Sequence, residues 1–282
     1  LFDDSVVRDY VKKVSTGISN VNEIAADLTY LTGGHPASLV SACKIYQKQD
    51  WNYDNLLRLW LEKRDLVLEK IYTGLRFPDE TERSFIAELS LFRRLDRWLL
   101  SQLPKPSDIS DIKLSDLEDG LTKTYLFERQ GSWIVNTVVR RMLVLWLQNK
   151  DEQNYANLCA EAIRLHLEGL KQARRDPEIW VVEYLFQCLQ ASTGAIDTPE
   201  QRAQVRSVFW QQNFQRVMCT YLEHESDVDF AKESLESRIE MDWEFKFMLN
   251  YYLRSGNYRE DLYSELYNAI EKFDPRRQCP AS

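Results

Sequence analysis

No stretch of the 282-residue sequence runs to about 18 apolar residues, and no charged segment leads into an apolar one at its start. Neither a membrane span nor a signal peptide is expected, and the reading is a soluble protein of the cytoplasm. Glycine (9) and proline (8) are scarce, while hydrophobic residues reach 44% and aromatic residues 12%. That composition fits a mainly helical chain with a sizeable core. Cysteine is sparse and scattered: Cys43, Cys159, Cys188, Cys219 and Cys279 are odd in number and form no C-x-x-C pair. Such spacing fits small buried hydrophobes, most plainly at Cys159 and Cys188, which fall on apolar helical faces. Of the three histidines, His35, His166 and His224, none has another His or a Cys at ligand spacing, so no metal site is expected.

The phosphate-cradling pattern G-x-x-x-x-G-K-[ST] is missing, as is G-x-G-x-x-G. No Ser or Cys stands in a nucleophile-elbow context. The acidic pairs Glu223 with Glu225 and Asp227 with Asp229 flank a helix break and read as a solvated turn. By itself the chain is therefore not expected to be an enzyme. Charge is uneven: residues 1–78 carry ten basic and ten acidic groups, 79–150 eleven of each, and 151–282 fifteen against twenty-three. The net charge of -8 thus belongs to the last region, which opposes a phosphate-backbone partner there.

What is present is a succession of helical patterns. Residues 5–14 and 20–31 read as short helices, the second ending at Gly33-Gly34, and Pro36 opens a third. Leu56, Leu57, Trp60, Leu61, Leu68 and Ile71 continue the pattern over 53–73, making a helical bundle of residues 1–77. Residues 78–150 differ. Helical patterns at 80–92, 95–103 and around Leu114 to Leu121 precede alternation at Tyr125, Phe127, Trp133 and Val135 about the turn RQGS, and VVRRMLVLWLQN closes the segment. Three helices, a hairpin and a closing helix make a winged-helix order. From 151 to 282 each helix is expected to bury one stripe, such as Val181, Tyr184, Leu185, Cys188 and Leu189. Tyr252, Gly256, Tyr258, Ala269 and Pro275 approximate a tetratricopeptide-like hairpin whose spacing is two residues too long.

The element L-T-x-G-x-P-x-x-L within LTGGHPASLV (residues 31–40), followed by a winged-helix order and helical repeats, resembles the STAND class of signal-transducing ATPases, relatives of AAA-type ATPases. The resemblance covers the chain as architecture, while its specific motif spans about ten residues. It implies a mainly α fold of helical lid bundle, winged helix with a small hairpin, and TPR-like helical domain. It also implies that Gly34, His35 and Pro36 belong to a lid over nucleotide, with Pro36 against the adenine. Some members carry Met-His-Asp before the last winged-helix helix, where the His reaches phosphate; here Val135-Asn136-Thr137 stands in that place, and Asn136 can donate a hydrogen bond but carries no charge. ATP or ADP with magnesium is implied for a longer parent rather than for this chain, which begins with Leu1 rather than Met and is expected to continue upstream into an ATPase core.

On this reading the chain is a regulatory and sensor region: lid and winged helix close on the upstream core, and the helical tail meets a protein partner or signal. DNA is not an expected partner, because the third winged-helix helix reads KLSDLEDGLTK and brings Asp116, Glu118 and Asp119 toward phosphate. The rival from another class is an interaction scaffold with an inert winged helix, which Trp180, Trp210 or Trp243 would favour if exposed.

Overall fold

The apolar periodicities become helices packed around two separate cores. In this computed structural model the described residues are 4–15, 19–52, 55–60, 80–103, 127–130, 132–135, 137–172, 175–192, 199–223, 225–253 and 262–279. They are mainly helical and divide into two compact units, Leu1–Leu158 and Cys159–Ser282. No helix among them is long and apolar enough to cross a membrane.

In the first unit, helices α1 (Asp4–Val14), α2 (Val21–Thr32) and α3 (Pro36–Lys48) pack in sequence, and residues 55–60 are helical as well. Helix α2 is the hub, burying Ile24, Ala25, Leu28 and Leu31 completely or nearly so. Next come α4 (Glu80–Leu89), strand β1 (Arg94–Leu95), α5 (Arg97–Gln102), strands β2 (Phe127–Gln130) and β3 (Ser132–Val135), and α6 (Thr137–Lys150). The expected hairpin forms, with Phe127 opposite Val135 and Gln130 opposite Ser132. A third strand joins it: Arg94 pairs with Ile134 and Leu95 with Trp133, giving the antiparallel order β1-β3-β2. Two residues leave no alternation to recognise, so β1 had no sequence signal. Asp96, which accepts from the Leu99 N–H at 2.7 Å, caps α5 immediately after β1. Helix α6 packs on both α2 and α4. The segment KLSDLEDGLTK lies outside the described residues.

In the second unit, the C-terminal part of α7 (Glu152–Lys171) meets α8 (Pro177–Ala191). The contact is made by a missing side chain: a Cβ on Gly169 would stand 2.3 Å from the Trp180 ring. Beside it the buried His166 uses Nδ1–H to donate to the Ala162 carbonyl at 2.7 Å, with its ring centroid 5.8 Å from that of Trp180. His166 is thus a core residue. Helix α8 corrects the expectation of a single buried stripe, since every residue from Trp180 to Gln190 is buried. The cause is its central place: α10 (Gln215–Leu222), α11 (Val228–Glu240) and α12 (Trp243–Leu253) all pack on it. Buried Gln190 consequently satisfies its amide on buried Gln187 at 3.2 Å.

Helix α9 (Pro199–Val208) runs into a π-helical stretch, Phe209–Phe214, before α10. Phe209, Trp210, Phe214 and Phe273 form a chain of edge-on ring contacts there. The unit closes with α13 (Leu262–Glu271) and the short α14 (Pro275–Gln278). Asp227 caps α11 by accepting from the Phe230 N–H at 3.0 Å, so the acidic turn before that helix does local structural work. Residues 254–261, which hold Gly256 and Tyr258 of the tetratricopeptide-like pattern, lie outside the described residues.

Cysteine departs from expectation. Cys43, Cys159 and Cys188 are buried thiols, but Cys219 and Cys279 form a disulfide with their Cα atoms 5.5 Å apart. The bond tethers α14 to α10. A separation of 60 residues gave the spacing no way to reveal the pair.

Candidate functional site

The turn of residues 33–36 is fixed by its own backbone. Gly33 ends α2 in the left-handed region at φ 57, its N–H donating to the Thr29 carbonyl at 2.9 Å, and Gly34 follows at φ 72. The His35 N–H returns to the Thr32 carbonyl at 3.1 Å. His35 is then the N-cap of α3: its Nδ1 accepts from the Ser38 N–H at 3.3 Å and lies 3.0 Å from Ser38 Oγ. With Nδ1 accepting, a neutral imidazole carries its proton on Nε2, which makes that edge a hydrogen-bond donor. Pro36 occupies the first turn of α3, where its missing N–H costs no helical bond, and it is exposed.

Gly33 is buried against α6. A Cβ on Gly33 would come within 3.2 Å of Thr137 Cγ2, and Thr137 is the first residue of that helix. Helix α2 and its turn therefore rest on the head of α6. One turn further along α6, the Arg141 guanidinium lies over the Tyr30 ring at 5.2 Å. The structure thus brings the turn holding Gly34, His35 and Pro36 against the start of α6. Asn136, the residue preceding that helix, lies outside the described residues.

Sequence reasoning did not single out the buried arginines of this unit. Arg140 is 1% exposed, Arg141 3% and Arg93 6%, and each makes partner contacts in the fold. A guanidinium does not deprotonate on burial, so partners must accompany it into the core. The available signal was the pair RR inside the apolar run VVRRMLVLWL.

The other residues weighed for function fall elsewhere. Trp180 is 7% exposed and belongs to the second core, while Trp210 and Trp243 are half-buried. Cys43, packed on α3, has its thiol pushed up to about 11 by burial, which makes it a poor nucleophile. Cys188 is pushed up to about 12 for the same reason. No family model, curated protein or solved structure matches the chain.

Proposed function

We propose that the chain is the lid, winged-helix and helical-sensor region of a STAND-type ATPase switch, acting by conformational change rather than by catalysis. The observation that carries the proposal is the seating of Gly33 on Thr137, which brings the Gly-His-Pro turn to the head of the helix that, in some members of the STAND class, follows a phosphate-reaching His. Two elements expected to face one ligand are thereby neighbours. The sheet order β1-β3-β2, with its short first strand between α4 and α5, supports the winged-helix reading of residues 78–150. In this role Pro36 offers an exposed apolar ring to a base, and Nε2–H of His35 offers a donor to an oxygen or ring nitrogen. The upstream core would supply the P-loop, the magnesium site and the hydrolytic chemistry.

Calorimetric titration of ADP and ATP tests this in two samples, the present chain and the natural polypeptide extended upstream. Binding by the longer protein alone, weakened by Pro36→Ala, is the expected result. A longer protein that binds neither nucleotide would remove the proposal.

A second reading, the helical interaction scaffold, is supported by α11. Phe230 is 68% exposed and Met241 73%, and eleven residues bring them to the same helical face about three turns apart. If that face docks a protein, Phe230→Asp abolishes capture of the partner without changing the melting temperature. Neither reading has a role for DNA, and duplex DNA is expected to migrate unretarded with the protein at low salt.

A further inference from the structure

The second unit contains a cleft of about 810 Å³ between α7, the π-helical stretch, α10 and α14. Among the described residues its charged lining is Lys171, Arg216, Arg276 and Glu223, a net of two positive charges. The surrounding region is acidic, with fifteen basic and twenty-three acidic groups over residues 151–282. Basic groups elsewhere in the unit do find carboxylates: Arg164 pairs with Glu161 and Glu168, Arg206 with Glu265, and Arg277 with Asp274. Lys171, Arg216 and Arg276 are exposed and form no ion pair among the described residues. Three cations in one concavity of an acidic region, with no ion-pair partner among the described residues, create a local field for an anion bearing several charges.

The uncharged lining refines the ligand. Gln211, Gln212 and Gln215 contribute amides, and among the described residues no aromatic side chain lines this cleft on which a base could stack. The Nε2 of Gln215 is occupied, donating to the Gln278 carbonyl at 2.6 Å. Its carbonyl oxygen remains an acceptor suited to a hydroxyl group. The wall carrying Arg276 is fixed in advance, because the Cys219–Cys279 disulfide, the Gln215 contact and the Asp274 cap on the Arg276 N–H (3.1 Å) all hold α14 in place. A fixed wall reduces the ordering cost of binding. The volume is within the range of small-ligand sites.

We infer that this cleft binds a small, multiply phosphorylated polyol, with Lys171, Arg216 and Arg276 taking the phosphates and the glutamine amides reading the hydroxyls. The inference is independent of the proposed switch function and holds for the chain alone. Calorimetry with inositol 1,4,5-trisphosphate as probe tests it, inorganic triphosphate serving as a comparison of similar charge without hydroxyls. The trisphosphate is expected to bind, and to weaken by about tenfold or more in Arg216→Gln/Arg276→Gln, both exposed positions whose loss leaves the fold intact. Lys12→Gln, on α1, should leave the affinity unchanged. Absence of binding at millimolar probe, or binding that the double variant does not weaken, would overturn the site. Equal affinity for the inorganic triphosphate would overturn the polyol assignment.

Discussion

Gly33 and Gly169 show how much a missing side chain can decide. Gly33 meets two demands, a left-handed φ of 57 and contact with Thr137 at 3.2 Å from a would-be Cβ. Gly33→Ala should therefore destabilise the first unit by about 1–2 kcal/mol, read from urea denaturation, chiefly through the backbone conformation. Gly169 has no such backbone demand, but an added Cβ would meet the Trp180 ring at 2.3 Å, and the ring must move. Overpacking of that kind costs about 1–3 kcal/mol, and Gly169→Ala is expected to lower the melting temperature of the second unit accordingly. Glu88 supplies a test by pH. Burial pushes its carboxyl up, with Lys150 pulling partly back, so the native state retains a proton where the unfolded chain has lost it. The stability this gives is full below the ordinary glutamate range and is lost as pH rises through the raised value. Glu88→Gln should match the parent near pH 4 and melt higher at pH 7, as calorimetric scans across that range would record. The turn at 33–36 was legible because glycine and proline act through their own backbone. Arg140 and Arg141 were not, since the pattern VVRRMLVLWL says nothing about which face of α6 receives α2 and α4.

At the scale of elements, periodicity located the helices well where one face is solvated. Helices α1 and α2 begin and end within one residue of the spans read from the sequence. The same logic understated α8, because a helix packed on several sides is buried throughout and its period no longer marks a boundary. The π-helical stretch FWQQNF had no legible signal: it is a local insertion in the helical ladder, settled by packing of Phe209 and Phe214 inward. The disulfide was hidden for a related reason, since only the fold brings α10 and α14 together. Alkylation under denaturing, non-reducing conditions should modify three thiols, rising to five after reduction, as counted by mass spectrometry. Cys219→Ser/Cys279→Ser should cost about 2–4 kcal/mol of stability, because a bridge across a separation of 60 residues restricts the unfolded chain. An unchanged urea midpoint in that variant would argue against a load on the bridge.

At the scale of the molecule, the two units differ in charge: residues 1–158 are nearly balanced, with 21 basic and 23 acidic groups, and residues 159–282 are acidic, with 15 against 21. The mainly helical class and the position of the hairpin were legible, because composition and alternation are properties of the chain itself. The meeting of α2 with α6 was not legible, since Thr137 lies 104 positions after Gly33 and only tertiary packing joins them. On the proposed switch reading, that meeting joins the Gly-His-Pro turn to the head of α6. Hydrogen exchange on the chain together with the upstream core that the proposal requires, recorded with ADP and then with a non-hydrolysable ATP analogue, tests it most directly. Amide protection over residues 33–40 and 137–141 is predicted to change between the two states and to change together. Exchange in both segments that is indifferent to nucleotide, or a change in one with none in the other, would contradict the account.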